Sequence, residues 1–321
     1  MNTTERVIRE QFPFWRKATA VAAFTDRDST FVIVGCGTSY HLAQSIAASF
    51  NLRGLRAIAV PGGEWSRRRT TYLPDGFKTH VIGLSRSGES TETVQALEVS
   101  RTAGYATTAV TCEQGSSITK AADTVIFTAT HPDEGIVMTA SASLMLLVGL
   151  RLAGITVGEP EVAAAQAALE TFEALLPAVL DGRSHPVLLG AGALYGIAAE
   201  GGIKLQEMSL SHVQSYQPME YRHGPISLVD DQSFAVLLYS AETFAEEVRI
   251  STEVQNKGAR VIGLGGPGDA GVEVGGSIEA RSLVVLPMLQ VLGERAAEMR
   301  GLDTSAPRYL KKVVVLDRTP A

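Results

Sequence analysis

Short apolar runs rich in Val and Ile recur along the chain, and most lead into a segment of helical period. "FVIVG" (31–35) precedes "SYHLAQSIAASFN", and "RAIAV" (56–60) follows. "HVIGLS" (80–85) precedes "ESTETVQALEVSRTAG", and "TTAVT" (107–111) precedes a Ser-rich turn. "DTVIFTA" (123–129) precedes an apolar helix over 137–153. Runs that are apolar throughout, with no polar alternation, predict strands covered on both faces. Strands alternating with helices predict an α/β fold built on a parallel sheet.

The second half repeats the scheme. "HPVLLGAG" (185–192) matches "TFVIVGCG" (30–37), so that Gly35, Gly37 and Tyr40 correspond to Gly190, Gly192 and Tyr195 at an offset of 155. At the same offset Ser85 corresponds to Ser240, and Glu98-Val99 to Glu253-Val254. "RTAGYATTAVT" then parallels "NKGARVIGL" with one residue lost. An offset held across several elements predicts internal duplication. The expected division is a helical extension over 1–25, a first domain over 26–155, a helical linker over 156–180 and a second domain over 181–321.

Composition narrows the class. The 321 residues are 45% hydrophobic and 19% charged, with a formal net charge of −6. That is the composition of a globular protein with a large core, and it argues against bulk nucleic-acid binding, which calls for a basic face. Cys36 and Cys112 are the two cysteines and show no metal-type spacing, so a reducing, cytoplasmic compartment is expected. The start "MNTTERVIREQFPFW" lacks the apolar core of a signal peptide. "SASLMLLVGLRLAGITVG" is broken by Arg151 and reads as a buried core helix, too short for a membrane span.

One stretch carries candidate chemistry. In "GLSRSGEST" (83–91), Ser85, Ser87, Ser90 and Thr91 surround Gly88 where a strand hands over to a helix. In a parallel α/β sheet, ligands bind at the carboxyl ends of strands, where a helix presents free N–H groups and the positive end of its dipole. Four hydroxyls, a close-approach glycine and Arg86 suit a phosphate. The simpler alternative is a helix N-cap, which a single Ser would satisfy. "GCGTSY" (35–40) is the companion loop. It is no dinucleotide fingerprint, because its third Gly is missing and no acidic residue ends "RAIAV". That argues against an NAD-type dehydrogenase.

These loops and the repeat resemble the SIS (sugar isomerase) family of phosphosugar-binding domains. The chain looks like a double-SIS protein, similar to the isomerase half of glucosamine-6-phosphate synthase and to galactosamine/tagatose-6-phosphate ketose–aldose isomerases and deaminases. The match runs over about residues 25–316. It rests on "GCGTSYHLA", "SRSGESTET", "EGGIKLQEMSLSHVQSYQPMEYRHGPISLVD" (200–230) and "GLDTSAPRYLKKVVV" (301–315). The resemblance implies two tandem flavodoxin-like αβα domains with parallel sheets. It implies that Ser85, Arg86, Ser87 and Ser90 hold a phosphate and that Thr38 and Ser39 contact the sugar chain. Thr139 is a further candidate for substrate or phosphate binding, and Glu220 a candidate either to contact substrate or to orient its loop. Glu207 matches the acid that moves a proton between C1 and C2, and Lys204 a lysine near the reacting hydroxyls. His223 matches a histidine that helps open the sugar ring from a neighbouring subunit, which implies a homodimer with shared sites. Lys312 matches a lysine that forms an imine with the ketose.

The residues support part of this directly. Aldose–ketose exchange needs a base to carry a proton between adjacent carbons, and a carboxylate in a partly dry pocket suits it. Lys204 lies at i−3 from Glu207, on the same helix face. His223, fixed by the following Gly-Pro, has the proton affinity to serve a ring oxygen; His212 is a second candidate. No metal or other cofactor is called for. Departures from the synthase pattern are plain: no catalytic Cys follows Met1, Arg86 stands for its amide residue, and Ser141 falls where it has a lysine. The expected activity is therefore isomerisation, or isomerising deamination, of a hexose or aminohexose 6-phosphate, with no nucleic-acid or membrane partner. A non-catalytic phosphosugar sensor is the alternative.

Overall fold

The computed structural model describes residues 1–314 and 316. Helices α1 (Thr3–Glu10) and α2 (Phe12–Arg16) open the chain. The first half then runs β1 (Thr30–Gly35), α3 (Thr38–Leu52), β2 (Arg56–Pro61), α4 (Gly62–Tyr72), β3 (Thr79–Ser85), α5 (Thr91–Thr102), β4 (Ala106–Thr111), α6 (Ser117–Ala121), β5 (Thr124–Phe127) and α7 (Ala140–Leu152). The second half runs α8 (Glu159–Leu180), β6 (His185–Gly190), α9 (Ala193–Ser209), β7 (Gln214–Tyr216), α10 (Pro218–Tyr221), β8 (Ser233–Leu238), α11 (Phe244–Asn256), β9 (Arg260–Leu264), β10 (Ala270–Val272) and α12 (Arg281–Met299).

Each half builds one five-stranded parallel sheet. The orders are β2-β1-β3-β4-β5 and β10-β9-β8-β6-β7. Renumbered within its half, the second sheet has the order of the first, which is the doubly wound arrangement that binds ligands at the strands' carboxyl edge. The interior strands β1 and β8 are buried along their whole length, as their unbroken apolar sequences require. Duplication also shows in the backbone. Gly37 has φ 54° and ψ −125°, and Gly192 has φ 55° and ψ −126°. Few L-residues adopt that conformation, and it recurs at the offset of 155.

The two compact units are discontinuous in sequence. One comprises Met1–Phe12 and Val157–Arg308, the other Pro13–Thr156 and Tyr309–Ala321. This differs from the contiguous division expected from sequence at three points. The first helix, α1, packs on α12, with Asn2 donating to Glu294 and Thr304. Helix α8, expected as a linker, is a core element of the same unit: it packs on α12 through Val162, Ala165, Leu169, Phe172 and Leu176 at 3–4 residue spacing. That helix is long and apolar enough to cross a membrane by length and composition alone. Residues 309–314 and 316 belong with the first half, although the sequence placed them in the second domain. The "VVVL" run, read from sequence as a last strand, has no strand at residues 313, 314 and 316; Val315 lies outside the described residues. Helix α7 is buried at all but one of its positions, as the apolar segment predicted.

Candidate active site

In the first half, two loops leave the carboxyl ends of β1 and β3. The β1 loop turns on Gly37, whose positive φ starts α3 with Thr38 and Ser39 only 4% exposed each. Gly35 must lack a side chain, because a Cβ there would sit 2.7 Å from the backbone of Ser39. In the β3 loop Ser85 is buried and its hydroxyl accepts from the Gly88 N–H at 3.1 Å while donating to Ser90 Oγ at 3.3 Å. Ser87 accepts from the Glu89 N–H at 3.2 Å. Ser90 is the N-cap of α5, yet its side chain makes no capping bond. Its hydroxyl therefore does not do what the simple capping alternative requires. Glu89 turns its carboxylate onto the N–H and hydroxyl of Ser117 at 2.8 and 2.6 Å, and these bonds hold it below the usual carboxylate range.

Gly88 closes this loop at φ +66°, and a Cβ on it would fall 2.0 Å from Ser116 Oγ. Gly88→Ala should combine a left-handed backbone cost of about 1–2 kcal/mol with overpacking of about 1–3 kcal/mol. The expected outcome is a thermal midpoint lower by on the order of 10 °C in scanning calorimetry. An unchanged midpoint would show that the loop relaxes freely.

Arg86 directs its guanidinium away from the hydroxyls. It donates to the carbonyls of Gly135 and Ile136 at 2.9 Å each and of Lys312 at 3.0 Å. The exposed Lys312 donates its amine to the Glu134 carbonyl at 3.2 Å. The Glu134 carboxylate, buried, accepts from the N–H groups of Thr139 and Ser141 at 2.7 and 3.0 Å and so caps α7. Thr139 is thereby fixed as the N-cap residue of that helix. Burial raises the proton affinity of the Cys36 thiol and, more strongly, of Cys112.

In the second half, the junction after β8 is filled from within. Glu247, fully buried on the first turn of α11, accepts from the Ser240 N–H at 2.8 Å and hydroxyl at 2.9 Å, and from the Thr243 hydroxyl at 2.7 Å. Its carboxylate thus occupies the hydroxyls and N–H at the end of β8. The chemistry-bearing residues of this half lie on α9 instead. Lys204 and Glu200 are 0% exposed and 3.6 Å apart, while Glu207, 22% exposed, accepts from Lys204 Nζ at 2.5 Å. Glycines bring α9 close to its neighbours. A Cβ on Gly201 would lie 2.7 Å from Leu289 of α12, and one on Gly202 2.4 Å from Ser215 of β7. His223 and Glu220 are exposed in and just after α10, where the His223 N–H is anchored to the Glu220 carbonyl at 3.0 Å. His212 instead lines a groove of about 710 Å³ with His185, Asp230 and Arg308, at the amino-terminal ends of β6 and β8.

The model of the SIS domain matches residues 24–153 and 180–269. The chain belongs to the SIS-domain family. Both matched segments begin ahead of a sheet's first strand, so each SIS segment covers one half of the duplication. Among relatives, the isomerizing glutamine–fructose-6-phosphate aminotransferase of Pyrobaculum aerophilum is 31% identical, over 89% of this chain and 51% of its own. Its counterpart in Pseudomonas aeruginosa is 28% identical over the same shares. The chain thus spans about half the length of the curated relatives it matches. Among solved structures, glucosamine-6-phosphate deaminase of Thermotoga maritima superposes with a TM-score of 0.84 at 28% identity, covering 98% of this chain and 100% of that one. Tagatose-6-phosphate ketose/aldose isomerase of Escherichia coli shares the fold, with a TM-score of 0.76 at 20% identity, covering 94% and 93%.

Within this SIS chain, three carboxylates escaped sequence reasoning. Glu200 carried a signal, since positions 200, 204 and 207 form one stripe on a helix. Glu134 and Glu247 carried none, because each reaches its partners by a local fold-back of the chain.

Proposed function

We propose that this chain is an aldose–ketose isomerase or isomerising deaminase of a hexose or aminohexose 6-phosphate. The observation that carries the reading is the α9 trio: a fully buried lysine held between a buried glutamate and one whose carboxylate reaches solvent. Burying such charges is costly and an apolar stripe would stabilise the helix as well, so the arrangement is better explained by proton transfer than by stability. In this reading the hydroxyls of Ser85, Ser87 and Ser90 hold the phosphate, with Thr38, Ser39, Thr139 and Glu220 on the sugar. Glu207 takes the C2 proton of the open-chain aldose and returns it to C1, as the O2 hydroxyl proton passes to O1. For an aminosugar the same transfer leaves a C2 imine, which water hydrolyses to the ketone with release of ammonia. Lys204, which donates to Glu207, lies near the reacting hydroxyls. His223 assists ring opening from a second copy of the chain, and Lys312 engages the ketose carbonyl. The activities of the 31% identical aminotransferase and the 28% identical deaminase support this class of substrate.

Incubation with glucosamine, galactosamine and fructose 6-phosphates, scoring ammonia and aldose–ketose exchange, tests it. Turnover of at least one is expected. Tight binding without turnover of any would replace the enzyme with a sensor. The filled Ser240–Glu247 junction leads to a further expectation: calorimetry with a bound phosphosugar should give one equivalent per chain, and two would contradict the assignment of the anion seat to the first half.

A further inference from the structure

Arg86 sits between Ser85 and Ser87, and its two terminal nitrogens donate to carbonyls outside that loop. Its backbone is pinned, because its carbonyl accepts from the Cys112 N–H at 3.1 Å and the Thr111 hydroxyl at 3.3 Å. Its guanidinium, in a residue 7% exposed, donates to the carbonyls of Gly135, Ile136 and Lys312. The Lys312 amine takes the preceding carbonyl, that of Glu134, so two cations of one unit bind three consecutive carbonyls. Farther along, the Leu316 N–H donates to Thr91 Oγ1 at 3.0 Å. Thr91 is the first residue of α5, the helix that follows the seat. The tail from 312 to 316 is thus tied at one end to a residue of the anion loop and at the other to the helix that loop begins.

We propose that Arg86 is a positioning residue for the C-terminal tail: through the Lys312 carbonyl it holds the Lys312 amine at the Ser85–Thr91 loop, and it does not ligate the phosphate. Three carbonyls in different directions call for a planar fork of donors, which arginine has and lysine lacks. The three bonds come from a charged donor and are largely sheltered from water, so losing two of them should matter. What the positioned amine does to substrate rests on the functional reading above. The clamp itself rests on the geometry alone.

The test compares Arg86→Lys and Arg86→Gln with the parent chain. Hydrogen exchange followed by mass spectrometry reads the tail peptide over residues 309–316 against peptides of α7 in the same sample. Calorimetry reads affinity for inorganic phosphate, and steady-state kinetics with the best of the three phosphosugars separates kcat from KM. Tail exchange is expected to accelerate about tenfold or more in both variants, with α7 unchanged. Phosphate affinity in Arg86→Lys should stay within about threefold, and kcat should fall about tenfold or more with KM nearly constant. A large loss of phosphate affinity with unchanged tail exchange would make Arg86 an anion ligand and overturn the proposal. Acceleration in α7 as well as the tail would make it a general stabiliser and also overturn it. If the parent turns over no phosphosugar, the functional reading fails, while tail exchange still decides the role of Arg86.

Discussion

Glu207→Gln is expected to lower kcat for phosphosugar turnover by about 10²–10⁴-fold, the range that general acid–base catalysis supplies. The amide is nearly isosteric and keeps a hydrogen-bond acceptor for Lys204 Nζ, now 2.5 Å from the carboxylate. What it loses is the ability to accept and return a proton. Only 22% of the Glu207 side chain is exposed, and the neighbouring lysine is fully buried, so no bulk buffer replaces it easily. The phosphate is proposed to sit on Ser85, Ser87 and Ser90, so phosphate affinity should be unaffected. Steady-state kinetics with parallel phosphate calorimetry checks both halves of the expectation. Equal losses in turnover and phosphate binding would mean that the substitution damages the fold instead of the chemistry.

The second large effect concerns stability. Lys204→Met removes the cation 3.6 Å from Glu200 and leaves that carboxylate buried without its lysine. Breaking one side of a buried ion pair typically costs about 3–5 kcal/mol. The methionine fills most of the volume, so cavity formation adds little to that figure. Adding Glu200→Gln should recover a substantial part, because a buried amide is cheaper than a buried unpaired charge. Urea denaturation of the parent, the single variant and the double variant measures this directly. A single variant as stable as the parent would show that Lys204 is not needed to neutralise α9.

The strands and the duplication were legible because both rest on local pattern. Val32, Ile33 and Val34 announce a strand covered on both faces, and Gly37 and Gly192 mark the same turn 155 residues apart. The hydroxyl-rich loop after β3 was legible as a turn for a similar reason: its hydroxyls and Gly88 are contiguous. What failed to show depends on where distant segments return. Nothing in "YLKKVVV" says that Lys312 will meet the Arg86 guanidinium, 226 residues away, and its Val run read as a strand on propensity alone. Helix α8 read as a linker because Ala-rich composition fits both a connector and a packed helix, and only the α12 face it meets decides between them. Arg86 shows the limit most clearly. Its residue type and position suggest an anion ligand, while its three carbonyl partners come from two loops far along the chain.

Proton transfer between C1 and C2 under the control of Glu207 is the central claim, and isotope exchange measures it most directly. The parent chain and Glu207→Gln are incubated in deuterium oxide with glucosamine, galactosamine or fructose 6-phosphate, and the C1 and C2 proton signals are followed by NMR. The account predicts that the parent washes deuterium into C1 or C2 of at least one of these sugars, and that the rate falls by about 100-fold or more in Glu207→Gln. Exchange at undiminished rate in the variant, or none with any sugar in the parent, would contradict it.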